Sequence, residues 1–145
     1  MKKLLTLIFL FSIFLSVNAQ SRLGYLTRNY NYYNYNYKKG ESVYYKPAGK
    51  GKVRIWGASE WGKAIPESYV KFSGYYAGTI TDPVDDYVNV RSGPGTNYPI
   101  VTTVDVCEPW LYKKTNTNWV KLYYQDGTCI GYIYGNRINS SYPIP

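Results

Sequence analysis

The groups available for catalysis in this 145-residue chain are limited, because histidine is absent. Without it, neither a Cys–His pair nor a Ser–His–Asp triad can be assembled. Carboxylates could still form a general acid–base pair, but the candidates lie in predicted turns and a loop entry. Asp82, Asp85 and Asp86 lack the strict spacing of a calcium-binding loop. The sequence therefore predicts a non-enzyme with no cofactor and no metal site; the carboxylates considered are Asp82, Asp85, Asp86, Asp105, Glu108 and Asp126.

Tyrosine dominates the aromatic content, with 19 residues, and combines an apolar ring with a hydroxyl. One tract, Asn29–Tyr37, consists of asparagine and tyrosine, and strict alternation of the two would put the tyrosines of a strand on one face. Three interpretations remain open for this tract. It is a glycan-binding aromatic strand, a self-associating segment, or a loop without a ligand.

The N-terminus has the pattern of an export signal. Met1-Lys2-Lys3 precedes an apolar run over 4–17, which is too short for the roughly 20 residues that span a bilayer. Val17-Asn18-Ala19 predicts cleavage after Ala19. The sequence thus predicts a secreted or periplasmic protein with no transmembrane segment once the signal is removed.

Positive charge and export together indicate the kind of partner. The chain has a formal net charge of +8, and the basic residues concentrate in the first part of the mature chain. Nucleic acid is a poor partner for an exported protein, so an anionic envelope polymer or lipid surface is favoured, with scattered solubility charges as the alternative. The basic residues concerned are Lys38, Lys39, Lys46, Lys50, Lys52, Arg54 and Lys63.

The elements that must position any binding residues are strands. Short β-rich runs alternate with Gly, Pro, Asn and Asp, which predicts an all-β fold. Val88 and Val90 share one face of a predicted strand, and Asn89 and Arg91 the other. Asp126-Gly127 predicts a hairpin. The five predicted strands are Tyr87–Arg91, Val101–Val106, Trp110–Lys114, Trp119–Tyr124 and Cys129–Tyr134.

An internal similarity suggests a duplication. Glu41–Lys46 aligns with Glu108–Lys113, and Val53–Ile55 with Val120–Leu122 at the same offset, although chance alignment of β-rich segments is an alternative. The sequence therefore predicts a signal peptide at 1–19, a Tyr-rich domain at 20–75 and a second domain at 80–142, with a boundary near 73–81.

The second domain resembles the bacterial SH3-like family. Val88–Ile100, with its Ser-Gly-Pro-Gly stretch, is similar to the opening signature of the family, and Asn118–Leu122, Asp126-Gly127 and Gly131–Ile133 to its later half. The resemblance implies a small five-stranded barrel, and the first domain is similar only in its later half, as a degenerate second copy would be. Members of the family are accessory modules of exported cell-envelope proteins, and some bind peptidoglycan or its cross-bridge peptides.

The resemblance also implies a shallow groove between two long loops. Tyr98, Trp119 and Tyr134 are its candidate aromatic residues, and Asn89 and Arg91 could add hydrogen bonds and charge. Covering one end of the core is the alternative role for Trp119 and Tyr134. The leading hypothesis is a binding module for peptidoglycan or another cell-wall polymer. The second hypothesis is a structural or protein-binding module of the envelope that uses the Tyr-rich domain.

The two cysteines, Cys107 and Cys129, are compatible with either of two states. An exported protein lies in an oxidising space, where a bridge is permitted and would stabilise the fold by roughly 3 kcal/mol; two free thiols are the alternative. Cys107 stands where the SH3-like family usually has a glycine. The family fold brings its turn close to the hairpin that ends at Cys129, so the resemblance favours the disulfide.

Overall fold

The computed structural model describes residues 20–32, 34–57 and 60–141, and this part of the chain is all-β, as predicted. The predicted export signal at 1–19 lies outside the described residues. Two single-turn 3-10 helices lie at Glu67–Tyr69 and Gly135–Arg137. The strands are β1 (Arg22–Leu26), β2 (Tyr30–Tyr32), β3 (Tyr35–Tyr37), β4 (Ser42–Gly49), β5 (Lys52–Gly57), β6 (Glu60–Trp61), β7 (Ile65–Pro66), β8 (Val70–Ile80), β9 (Tyr87–Arg91), β10 (Ile100–Asp105), β11 (Pro109–Lys114), β12 (Trp119–Tyr123), β13 (Cys129–Tyr134) and β14 (Ile138–Asn139).

Most of these strands form one sheet, in the order β10-β9-β13-β12-β11-β8-β1-β4-β5-β6. All the pairs are antiparallel, β7 joins β5 and β14 joins β8. The expectation of closed barrels is wrong, because this order is open, with β10 and β6 at its ends. The last strand of the described residues, β14, pairs with β8 at Ile80 and Thr79 instead of closing a ring with β10.

β8 is the strand that both halves of the sheet share. Its first residues, Val70–Phe72, pair with β1, and its last ones pair with β11 and β14. The segment 73–81, where the sequence predicts a boundary, is therefore almost entirely strand. The division into two domains stays a prediction. We call residues 22–72 the first half of the molecule and residues 80–139 the second half.

Each half has its own hydrophobic cluster. That of the first half contains Leu26, Val43, Tyr45, Val53, Ile55, Ile65 and Val70. That of the second half contains Ile80, Val88, Val90, Val104, Tyr112, Val120, Leu122, Ile133 and Ile138. As the alternation predicts, Val88 and Val90 are buried while Asn89 is exposed. The inward residues of β9, β12 and β13 thus define an opposite, outer sheet face.

Aromatic and cationic groups fill the junction between the halves. Tyr76 of β8 stacks on Tyr112 with ring centroids 5.5 Å apart and 28° between the planes. The Arg22 guanidinium lies 5.7 Å from the Phe72 ring and 5.9 Å from the Tyr76 ring. Burial raises the pKa of the Tyr112 hydroxyl. The two halves are consequently packed together as well as joined by a strand.

The Asn/Tyr tract forms a separate hairpin of β2 and β3. Tyr30 pairs with Tyr37, and Tyr32 with Tyr35 across the hairpin. The rings of Tyr30 and Tyr37 stack 6.1 Å apart, and both residues pack against the first-half cluster. The described tyrosines of this tract therefore lie largely against the protein, and Tyr35, at 45% exposed, is the one that faces solvent most.

The expected disulfide is absent, and Cys107 and Cys129 are free, exposed thiols. Cys107 lies in the turn before β11, where its N–H donates to the Ile80 carbonyl. Cys129 pairs with Tyr123 and is separated from β11 by β12. Two strand spacings correspond to roughly 10 Å, more than the 7 Å or so that bridged Cα atoms span. The strand order therefore keeps Cys107 and Cys129 too far apart for a bridge.

The backbone at Cys107 adopts a conformation that favours glycine. Its φ is +71°, in the left-handed region that side chains with a Cβ disfavour. The turn keeps the glycine-type conformation although it carries a cysteine.

Candidate ligand-binding groove

Four of the five predicted binding residues line one groove of about 250 Å³ on the second half of the sheet. Asn89 and Arg91 are outward residues of β9, while Trp119 begins β12 and Tyr134 ends β13. The register places Trp119 opposite Tyr134, and Tyr132 opposite Arg91. The remaining lining residues are Asp82, Asp85, Tyr87, Val88, Thr96 and Arg137.

The Trp119–Tyr134 ring pair borders a second cavity as well. The rings meet edge to face, with centroids 5.7 Å apart and planes at 83°. Tyr134 is 40% exposed, and Trp119 is half-buried. Both residues also line a cavity of about 420 Å³, together with Gln20, Tyr112, Lys114, Thr115, Thr117, Asn118, Val120, Gly135, Asn136, Ile138 and Ser140. The ring pair is therefore an aromatic ridge that two concave surfaces share.

The turn before β12 holds Trp119 in place. Thr115 Oγ1 donates to the Trp119 carbonyl at 2.6 Å, and the Trp119 N–H donates to Thr117 Oγ1 at 3.1 Å. Sequence reasoning missed this turn and the second cavity. The signal was present in Thr115-Asn116-Thr117-Asn118, because threonine and asparagine side chains bond to the backbone in turns.

Arg91 braces the long loop that follows β9. Its Nη1 donates to the carbonyls of Thr96 and Tyr98, at 3.1 and 2.8 Å. These two bonds fix the loop between β9 and β10 over the groove. Arg91 therefore shapes the rim of the groove in addition to lining it.

Tyr98 is the predicted binding residue that does not line the groove. Its ring lies over Gly93 so closely that a Cβ on that glycine would overlap it. The ring is 41% exposed, so it forms part of the surface of the loop. The structure thus separates Tyr98 from the Trp119–Tyr134 ridge.

The far end of the groove is polar and carries an ion pair. Asp82 Oδ2 lies 2.9 Å from Arg137 Nη1, and Asp82 Oδ1 accepts the N–H groups of Val84 and Asp85. These backbone hydrogen bonds, chiefly that from Asp85, lower the pKa of Asp82, and Arg137 contributes. The carboxylate is consequently ionised at neutral pH and fixed in orientation.

The groove offers an aromatic wall and polar edges, which suits a sugar or peptide plane held in a fixed orientation.

In the described part of the chain, no cluster of three metal-ligating side chains occurs. No helix among those residues is long and apolar enough to cross a bilayer.

The second half thus combines an open antiparallel sheet, a long loop after β9 and a ring-lined groove. Residues 86–139 match the family described as bacterial SH3 domain, which confirms the resemblance predicted from the motifs. The match covers little more than a third of the chain. Domains of this kind are in general non-catalytic binding modules. No curated protein matches the chain.

Proposed function

We propose that this protein is an exported, non-catalytic module that binds peptidoglycan or another cell-envelope polymer through the groove at Trp119 and Tyr134. The observation that carries the proposal is the aromatic ridge between two cavities, inside the segment that matches the bacterial SH3 domain. Export is supported by the signal pattern of residues 1–19.

A polymer suits this site better than a small compact ligand does. The two cavities are open and lie on either side of the same ring pair, so an extended chain can cross the ridge and contact both. The rings supply apolar contact for the face of a sugar or a peptide plane. Asn89 and the carboxylates of Asp82 and Asp85 supply hydrogen bonds at the edge. This combination recognises repeating units that carry both apolar faces and amide or hydroxyl groups.

The test is co-sedimentation of the chain from Gln20 onward with intact sacculi. Tyr134→Ala removes a ring that is 40% exposed, and Tyr25→Ala, on β1 of the first half, removes one that is 45% exposed. We expect Tyr134→Ala to weaken binding about tenfold and Tyr25→Ala to leave it within about twofold, since one aromatic contact in a site is worth roughly 1–2 kcal/mol. Circular dichroism checks that both variants are folded.

Salt separates groove recognition from general attraction by charge. Binding through rings and hydrogen bonds should persist when the salt concentration is raised from 50 to 500 mM (about tenfold), whereas attraction between exposed charges is screened. Equal binding by Tyr134→Ala and the parent chain would show that the groove is not the binding site.

A further inference from the structure

A row of alternating tyrosines and lysines crosses the outer face of the sheet beside the groove. We call it the Lys–Tyr strip, and it consists of Tyr75, Lys113, Tyr123, Lys121 and Tyr132, on β8, β11, β12 and β13. Each of the five side chains is half-buried. They share the outer face because their strand neighbours, such as Tyr112, Leu122 and Ile133, belong to the core of the second half.

Cation–π contacts connect the strip from end to end. Lys113 Nζ lies 4.4 Å from the centroid of the Tyr75 ring and 5.5 Å from that of Tyr123. Lys121 Nζ lies 5.8 Å from the Tyr123 centroid and 5.7 Å from that of Tyr132. The rings of Tyr75 and Tyr123 also meet edge to face at 5.2 Å. The tyrosines therefore hold both ammonium groups in defined positions.

The two lysines face each other directly. The register of β11 and β12 pairs Lys113 with Lys121, and like charges directly opposite each other on a sheet are destabilising. At the end of the strip, Tyr132 pairs with Arg91, which adds a third positive side chain to this face. This concentration of positive charge lowers the stability of the sheet. An anion bound between the ammonium groups in the functional complex would compensate for the repulsion.

No acidic side chain of the described residues neutralises this charge. The ion pair found in that part of the chain is Arg137–Asp82, at the far side of the groove. Asp126, in the hairpin between β12 and β13, accepts the N–H of Thr128 instead. The strip thus presents uncompensated ammonium groups next to phenol hydroxyls.

We propose that the Lys–Tyr strip is a second binding surface, specific for an acidic polysaccharide whose sugar units carry carboxylate, phosphate or sulfate groups. The ammonium groups pair with the acidic substituents, and the phenol hydroxyls bond to the sugar hydroxyls. This surface goes beyond the groove, since its charge selects a different polymer from the one the aromatic ridge recognises.

Two other anionic partners fit the strip less well. Single-stranded nucleic acid needs open ring faces on which its bases stack, and here the lysines lie over the rings. A membrane surface requires protruding apolar side chains that enter the interface. On the neighbouring outer positions of β11 and β8, Leu111 and Ala77 are buried, at 4% and 1% exposed.

The experiment measures binding of the chain from Gln20 onward to immobilised alginate, dextran sulfate and neutral dextran. The variant Lys113→Gln/Lys121→Gln removes the two ammonium groups of the strip. The matched control Lys50→Gln/Lys52→Gln removes two exposed charges at the turn between β4 and β5 of the first half. We expect the strip variant to bind alginate or dextran sulfate at least about tenfold more weakly, and the control to stay within about twofold.

Two further measurements make the outcome decisive. Lys113→Arg/Lys121→Arg, which keeps the charge, should retain binding. Tyr134→Ala, which changes the groove, should bind alginate like the parent chain. Loss of sacculus binding at the groove can therefore be distinguished from loss of alginate binding at the Lys–Tyr strip. The proposal is overturned if both charge-removing variants lose binding equally, if neutral dextran binds as well as alginate, or if vesicles of phosphatidylglycerol are bound while both acidic polysaccharides are not.

Discussion

The two halves of the molecule are both rich in aromatic residues, but the hairpin rings of the first half and the groove rings of the second half lie in different environments. In the first half, Tyr30 and Tyr37 of the hairpin pack against the cluster that contains the buried Tyr45. In the second half, Trp119 and Tyr134 are partly exposed residues at the ends of β12 and β13, and they border two cavities. The amino-acid composition gives only the number of aromatic rings. The strand register decides which of these rings stay accessible to a ligand.

The largest effect is expected in the core of the second half. Leu122 is fully buried, and Leu122→Ala should lower the free energy of unfolding by about 2–5 kcal/mol. Because β8 belongs to both halves, we expect the amides of β5 in the first half to exchange faster in this variant, along with those of β12. Hydrogen exchange followed by mass spectrometry measures both. Faster exchange in β12 alone would show that the halves unfold separately and would sharpen the contrast between them.

The next effect tests whether the rings of the first half are structural. Tyr37 stacks between Tyr30 and Tyr35, at 6.1 and 5.9 Å, and its hydroxyl lies over Gly57. Tyr37→Ala should destabilise the protein by about 2 kcal/mol in urea unfolding. Tyr25→Ala, which removes a more exposed ring, should cost less than about 1 kcal/mol. A Tyr37→Ala variant that is fully stable but no longer binds sacculi would break the comparison, because the first half would then hold the ligand.

A gain of stability is expected at the turn before β11. Cys107→Gly relieves the left-handed φ of +71° and should raise the free energy of unfolding by about 1 kcal/mol. Cys107→Ala, which keeps a Cβ, should leave it nearly unchanged. Both are measured by urea unfolding without reductant. If a disulfide to Cys129 formed instead, both variants would lose roughly 3 kcal/mol.

The smallest effect concerns acid. The pKa of Asp82 is lowered in the folded protein, by the N–H groups of Asp85 and Val84 and by Arg137. Its carboxylate therefore stabilises the fold above its ordinary pKa of about 3.9, and this contribution is lost as the pH falls through the lower folded value. Asp82→Asn should be less stable than the parent chain at pH 7 and lose less stability between about pH 4 and pH 2. The measurement is the melting temperature of the two proteins at several pH values in this range. An equal decrease in both proteins would contradict the assignment of this effect to Asp82.

Local sequence signals were sufficient for most of the second half. The predicted strands match β9 to β13 within one residue at each end, and Asp126-Gly127 lies in the hairpin between β12 and β13, as expected. These elements depend on alternation and turn chemistry, which are properties of short segments. The same local signals placed Asn89, Arg91, Trp119 and Tyr134 on strands that converge at one groove.

The remaining features depend on tertiary pairing. Ser73, Gly74 and Gly78 are typical of a linker, but pairing with β1 and β14 along one edge and with β11 along the other makes β8 a continuous strand. Tyr98 lies away from the groove because its ring closes over Gly93, a contact within an irregular loop that no periodicity encodes. Likewise, the separation of the cysteines follows from the strand order, which the motifs do not specify.

The shared strand also has a mechanical consequence. A flexible linker between two modules extends when they are pulled apart, but β8 pairs with β1 over its first residues and with β11 over its last ones. Tension between the halves therefore loads these hydrogen bonds in shear, and several must rupture together before the chain lengthens. If one half were bound to a stiff polymer, a force on that half would reach the other half with little extension of the chain between them.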